Sequence, residues 1–180
     1  MNAAFTRFGS YALGQPIAEH PEAKEETLLD RVRAAATVKT DEALKVWGET
    51  RYHTSEWIEF LGGSWLIRIG VSEGRICKLT ICWQGKLQAP MVAMHVEAMK
   101  YCRARLGENM SGSKETGLTW KTDFGTVVLT AGFVIQNNTG NSNDLIADLI
   151  WPGKIKSVYE RYTIQIETTA QLESDFFKKP

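Results

Sequence analysis

The chain lacks a surplus of charge of either sign. Its 180 residues hold 21 Lys and Arg against 21 Asp and Glu. Binding nucleic acid through its phosphates takes a basic excess, so nucleic acid is not an expected partner. The one dense basic cluster, Lys100, Arg103 and Arg105, falls at the end of a predicted helix. Cations there answer the negative helix terminus. Long apolar runs are missing too: none approaches the roughly 18–20 residues that span a bilayer. The opening MNAAFTRFGSYALGQP has no continuous apolar core of the kind a secretory signal needs. No membrane partner is expected, and a cytoplasmic location is. Cysteine is scarce and odd in number. Cys77, Cys82 and Cys102 lie in apolar segments and read as reduced, buried thiols. A mature secreted form, stripped of its signal, stays open.

Catalytic and metal-binding signatures are also missing. There is no CxxC, HExxH, GxSxG, P-loop or dinucleotide fingerprint. Cys77 and Cys82 are five apart on a predicted strand, so they point to opposite faces and cannot pinch one metal. His95 and Cys102 share a helix face but stand about 10 Å apart along its axis, beyond hydrogen-bond reach. His53, Ser55 and Glu56 run in a row in RYHTSE, where neighbours on an extended chain diverge rather than converge as a triad must. Asp123 to Gly125 spells the kinase tripeptide DFG but lacks its companion segments, so it reads as a turn. No catalytic, cofactor-binding or metal residue is expected.

What is present is periodicity. Trp65, Ile67, Ile69 and Val71 alternate, as do Cys77, Leu79, Ile81 and Trp83. Alternation places each set on one strand face, with Arg68, Lys78 and Thr80 on the other. SEG, Ser72 to Gly74, predicts a three-residue hairpin loop. SEWIEFL before the double glycine predicts a third strand, over about 55–61. Pro90 opens and Gly107 closes a long helix whose inner stripe reads Val92, His95, Val96, Met99 and Leu106. Trp120 then anchors an incoming hairpin arm, DFG turns it, and Val127, Leu129, Ala131, Phe133 and Ile135 line a returning strand. That strand, over about 126–136, is nearly uncharged and is expected to be central and covered on both sides.

Near the N-terminus, Pro21 followed by Glu22, Glu25 and Glu26 suits a helix start and predicts a helix over about 22–36. A second, over about 41–47, is capped by Thr40 or Asp41. DLIADLIW, Asp144 to Trp151, fits both a helix and a strand, and strand is preferred. Tyr162, Ile164 and Ile166 predict a late strand. The fold class is α+β. An antiparallel sheet of two hairpin units packs against a central helix and N-terminal helices. One domain covers 1–180, with an N-terminal helical segment (1–50), a meander–helix–hairpin core (51–136) and C-terminal strands and tail (137–180). A faint duplication shows in a hairpin near a helix in each half.

The hairpin EGRICKLTICW, a helix ending in Leu106-Gly107, then Trp120, Gly125, Val127 and Leu129 form a pattern over about 75–130. It resembles small bacterial α+β proteins that bind and neutralise another protein, including immunity proteins encoded beside interbacterial toxins. The resemblance implies a non-enzymatic protein-binding module that occludes a toxin. A second resemblance is to type III secretion chaperones, although a strand replaces their closing helix here and their acidity is missing. A small-ligand protein or enzyme, with a site built from His53, His95 and Cys102, is the third reading. Of six tryptophans, Trp57 is the candidate for exposure, between Glu56 and Glu59 on an edge strand. Glu56, Trp57 and Glu59 are therefore the expected partner-binding residues. On that expectation, charge reversal at Glu56 and Glu59 together weakens a one-to-one complex about several-fold or more, by titration calorimetry.

Overall fold

The computed structural model describes residues 3–27, 50–108, 110–113, 117–137 and 158–171. The described N-terminal residues do not form a helical layer. A one-turn helix, α1 (Ala3–Thr6), runs into the tight pair β1 (Arg7–Phe8) and β2 (Tyr11–Ala12). A 3-10 turn at Ile17–Glu19 and the short strand β3 (Lys24–Glu25) follow. The helix expected from about residue 22 is therefore corrected in its described part. The acids that suggested a helix start are engaged elsewhere. Glu22 accepts a hydrogen bond from the Tyr11 hydroxyl, and the Glu26 amide donates to the Arg51 carbonyl. The rest of that prediction, the helix over about 41–47 and the Asp144–Trp151 segment lie outside the described residues.

Three strands form a meander: β4 (Thr50–Phe60), β5 (Gly63–Ser72) and β6 (Arg75–Gly85). Phe60 pairs with Gly63 and Ser72 with Arg75. Each connection thus has two residues, Leu61-Gly62 and Glu73-Gly74, all at positive φ. This is the type I′ turn, whose twist matches the flanking strands. Ser72 already belongs to the ladder, so the expected three-residue loop is a two-residue one. Helix α2 (Gln88–Leu106) has Pro90 in its first turn. It ends at Gly107, which takes φ 85° and donates its amide to Arg103. Then come β7 (Ser111–Ser113), β8 (Gly117–Lys121), β9 (Gly125–Asn137) and β10 (Val158–Ala170).

All eight longer-range strands join one antiparallel sheet in the order β3-β4-β5-β6-β10-β9-β8-β7. This is the order that two copies of a four-strand unit give when joined through their last strands. The late strand sits at the centre, and the strand expected there, β9, lies one place out. β4 carries a bulge: His53 faces Arg68 and Trp57 faces Leu66, so four steps on β4 match two on β5. The Thr54 hydroxyl secures the bulge by donating to the Ile67 carbonyl at 2.7 Å.

One sheet face is covered. Leu118, Leu129, Ile166, Ile81 and Ile67 run across it in register, all buried. Phe5, Phe8, Tyr11 and Leu13 from the N-terminal arm join the same core. Tyr101 of α2 links the layers through edge contacts to Phe5 and Phe60, with ring centres 5.6 and 4.7 Å away. The helix seats through its two buried residues, Ala98 and Cys102, with Met99 and Leu106 of the expected stripe also packed against the core, while Val92 is exposed. Small side chains let its axis approach the sheet closely. The anchoring role expected of Trp120 holds: it is buried, and its indole N–H donates to the Gly107 carbonyl at 3.0 Å.

Gly125 begins β9 opposite Ala170 at φ 145°, and an added Cβ would collide with the Thr169 carbonyl oxygen. Gly125→Ala is expected to cost about 3 kcal/mol, the scale of backbone strain plus overpacking. Urea denaturation measures it, and a loss under about 1 kcal/mol would mean that the β9–β10 ladder yields at that end.

Candidate functional site

The sheet's other face is built by the residues between the core positions. Two of its rows run in register. One is Trp57–Leu66–Cys82–Gln165–Thr130, and the other is His53–Arg68–Thr80–Glu167–Val128. Alternation fixes their side: on β5, β6, β9 and β10 each is one step from a buried Ile or Leu. The chemistry is mixed polar, with one large apolar exception. Trp57 is 54% exposed, beside half-buried Leu66.

The charges on this face are unevenly satisfied. Glu167 is held by Lys78 at 3.6 Å, and it accepts from the Thr80 and Thr169 hydroxyls, each at 3.4 Å. Arg68 stands in the same row with no carboxylate partner among the described residues. Its Nε is shut off from water and donates to no acceptor among the described residues. A buried donor left unpaired costs about 1–3 kcal/mol. Beside it lies the buried Cys82 thiol. Burial pushes its pKa up, while the Arg68 guanidinium and hydrogen bonds with the Gln84 and Gln165 amides act the other way. Arg68 and the two amides thus put donors around a small, uncharged centre.

The outer edge of β4 adds a second feature. β3 covers only Tyr52 and His53. From Thr54 to Phe60, no described strand pairs on that side. Such an edge presents unpaired amides and carbonyls to any extended chain that approaches.

The expected partner-binding residues divide between the faces. Trp57 and Glu59 share the open face, where Glu59 accepts a hydrogen bond from the Ser64 hydroxyl. Glu56 turns to the covered side and accepts from the Ser10 amide at 2.9 Å and from its hydroxyl. Gly9, at φ 56°, leaves room for that carboxylate, which would overlap any Cβ there. Glu56 therefore clasps the N-terminal arm instead of standing beside Trp57. Arg68 and Leu66 were missed as its companions. Their face was legible from alternation, but the register that brings them to Trp57 was not.

The residues of the ligand-site alternative do not converge. His53 lies on β4 where β3 pairs with it, 3.4 Å from Glu26. His95 and Cys102 lie on α2, across the sheet. Cys102 is fully buried and its thiol is pushed up to about 12 by burial, so it stays protonated. Among the described residues, no three His, Cys, Asp or Glu gather as a metal ligand set, and no helix is long and apolar enough to cross a membrane.

Another polar cluster was not foreseen. His20 is buried, with Nδ1 3.2 Å from Glu22 and Nε2 3.3 Å from the Gln15 side-chain amide oxygen. The Tyr11 hydroxyl donates to the same Glu22 oxygen. Burial, then Glu22, pushes Tyr11 up to about 12. This cluster stitches the N-terminal arm together, and the spacing EHPE was its only trace in the sequence. No family model, curated protein or solved structure matches the chain.

None of the three cysteines is in a disulfide, and all are buried. In the native chain at pH 8, a disulfide-exchange reagent is expected to titrate well under one thiol per chain within minutes, and three after denaturation. Rapid native labelling of Cys102 would show that α2 lifts from the sheet.

Proposed function

We propose that the chain is a non-enzymatic protein-binding module of the inhibitor kind, one that neutralises a bacterial toxin by covering it. The observation that carries this reading is Trp57, 54% exposed on a strand whose outer edge lacks a described neighbour. A solvated tryptophan on a free edge joins two recognition devices. The edge supplies main-chain hydrogen bonds, and the indole supplies a large rigid apolar anchor. The resemblance of 75–130 to immunity proteins supplies the class of partner.

A homodimeric adaptor of the secretion-chaperone kind is the second reading, favoured by one observation. The N-terminal half of α2 carries no charge from Gln88 to Val96, and its surface holds Leu87 (67% exposed) and Val92 (51%). Apolar surface of that sort suits a second copy of the chain.

Co-purification with the product of the adjacent gene, followed by solution mass, separates the readings. The inhibitor reading expects a one-to-one complex with a folded partner, weakened about tenfold or more by Trp57→Ala. A stable homodimer that binds an unfolded segment would replace it with the adaptor reading. A clean monomer with no partner would remove both.

A further inference from the structure

Three places outside the core remain chemically unfinished: the apolar half of α2, the His20 cluster and the outer edge of β4. Nothing shows what covers the first. The second already has an internal role in holding the N-terminal arm. Only the third specifies what it would accept. Phe60 and Gly63 flank a two-residue turn, which is closed by a bond from the Gly63 amide to the Phe60 carbonyl. Bonded and non-bonded pairs alternate from there along the ladder. The register is unbroken back to Trp57, so Ile58 bonds to Trp65. Trp57 and Glu59 therefore aim their N–H and C=O groups away from β5. Nearer the start of β4 the same edge is already in use, where the Arg51 carbonyl accepts from the Glu26 amide. No described residue pairs with the main chain of Trp57 or Glu59 on that side.

From this we infer that the edge from Trp57 to Phe60 takes an antiparallel strand of the protein partner, one that reads basic, any residue, then β-branched apolar. The inference rests on the protein-binding reading and names the chemistry of the partner segment. Two partner residues, two positions apart, meet the outward groups of Glu59 and Trp57. Their side chains then fall on the open face beside those two. Opposite Glu59 the position calls for a cation. Glu59 is exposed, and its described partner is the Ser64 hydroxyl on the β5 side. No cation among the described residues forms an ion pair with it. Opposite Trp57 the position calls for an apolar β-branched group, a favourable companion of an aromatic ring across a ladder. Leu66 flanks the indole on the β5 side, and its outer side stays exposed. Antiparallel pairing fixes the order, with the basic residue first in the partner chain. The segment is also short. The bulge over Thr54 to Glu56 interrupts the ladder at one end, and Leu61-Gly62 turns away at the other.

The first arm of the test uses the chain alone. Amide hydrogen exchange, read by nitrogen-15 correlation spectra, is expected to run at least about tenfold faster at Trp57 and Glu59 than at Ile58 and Phe60. Slow exchange at the first two would show the edge already taken and overturn the inference. The second arm adds the blocked peptide acetyl-Thr-Arg-Thr-Val-Thr-amide, its counterpart with glutamate for arginine, and a form N-methylated at the valine. The arginine peptide is expected to shift the Trp57 and Glu59 amides saturably. The glutamate peptide is expected to bind about threefold more weakly or worse, the scale of one cross-strand charge pair. The N-methyl form lacks the N–H aimed at the Trp57 carbonyl and is expected to give no saturable shift. Equal response to the arginine and glutamate peptides, a full response to the N-methyl form, or no response to any would each overturn the inference. Glu59→Lys in the complex with the adjacent gene's product separates it from the reading beneath. The substitution is expected to weaken binding about fivefold or more. A complex that tolerates Glu59→Lys but is weakened by Trp57→Ala would sink the edge inference and leave the protein-binding reading standing.

Discussion

The pairing of β6 with β10 holds the two halves of the chain together. Thr80 lies opposite Glu167 and Ile81 opposite Ile166, between segments 87 positions apart. Without that ladder, β3 to β6 would form one small sheet and β7 to β9 another, each with a raw central edge. Joining them closes a continuous apolar face wide enough for α2 and the N-terminal arm to cover. Loop-closure entropy must be met before these contacts return anything, so this step should dominate the folding time. The central strand is also the last one made, which keeps the two halves incomplete until the described chain is nearly finished.

The same ladder sets the character of both faces. On the covered side, large aliphatic and aromatic groups meet α2 through its smallest residues, Ala98 and Cys102. On the other side, threonine, glutamine and charged groups occupy the centre, and Trp57 stands out at the rim. An antiparallel sheet can leave one face to water. What distinguishes this one is an unequal distribution of charge satisfaction. Lys78 and Glu167 answer each other, while Arg68 is left beside a thiol and two amides. The N-terminal arm, fastened by Glu56 and the His20 cluster, packs Phe5, Phe8, Tyr11 and Leu13 on the covered side.

Much of the sheet was legible because its signals are local. Period-two alternation gave both faces of β5, including the side of Arg68, and of β6 from Leu79 onward, and glycine marked both turns. At the start of β6 a register shift against β5 puts Ile76 in the core in place of the expected Cys77. Pro90 and Gly107 bounded the helix. What escaped reading depends on partners distant in sequence. Glu22, Glu25 and Glu26 carry a helix-start signal, yet Glu26 bonds to Arg51 and Lys24 pairs with His53. Local propensity is a weak preference that tertiary pairing overrides. Glu56 meets Ser10 across 46 positions, so its face could not be judged from neighbours alone. The helix stripe was legible in part: Met99 and Leu106 pack against the core, but Val92 is exposed and the deepest positions went to the small residues Ala98 and Cys102. Trp57 was found from its acidic flanks, but its neighbours Leu66 and Arg68 followed only from a register interrupted by the bulge.

That bulge acts as a counter of parity. Strand geometry distinguishes only odd from even, and three residues, Thr54 to Glu56, stand where Ile67 alone faces them. Loss of one of the three would reverse every later assignment on β4. Trp57 and Glu59 would turn inward, and Ile58 and Phe60 would turn to water. Loss of two would leave all four facing as they do. Lineages of this chain should therefore tolerate length changes at this point in pairs and reject single steps, and the outward aim of one tryptophan is preserved by arithmetic rather than by any contact it makes.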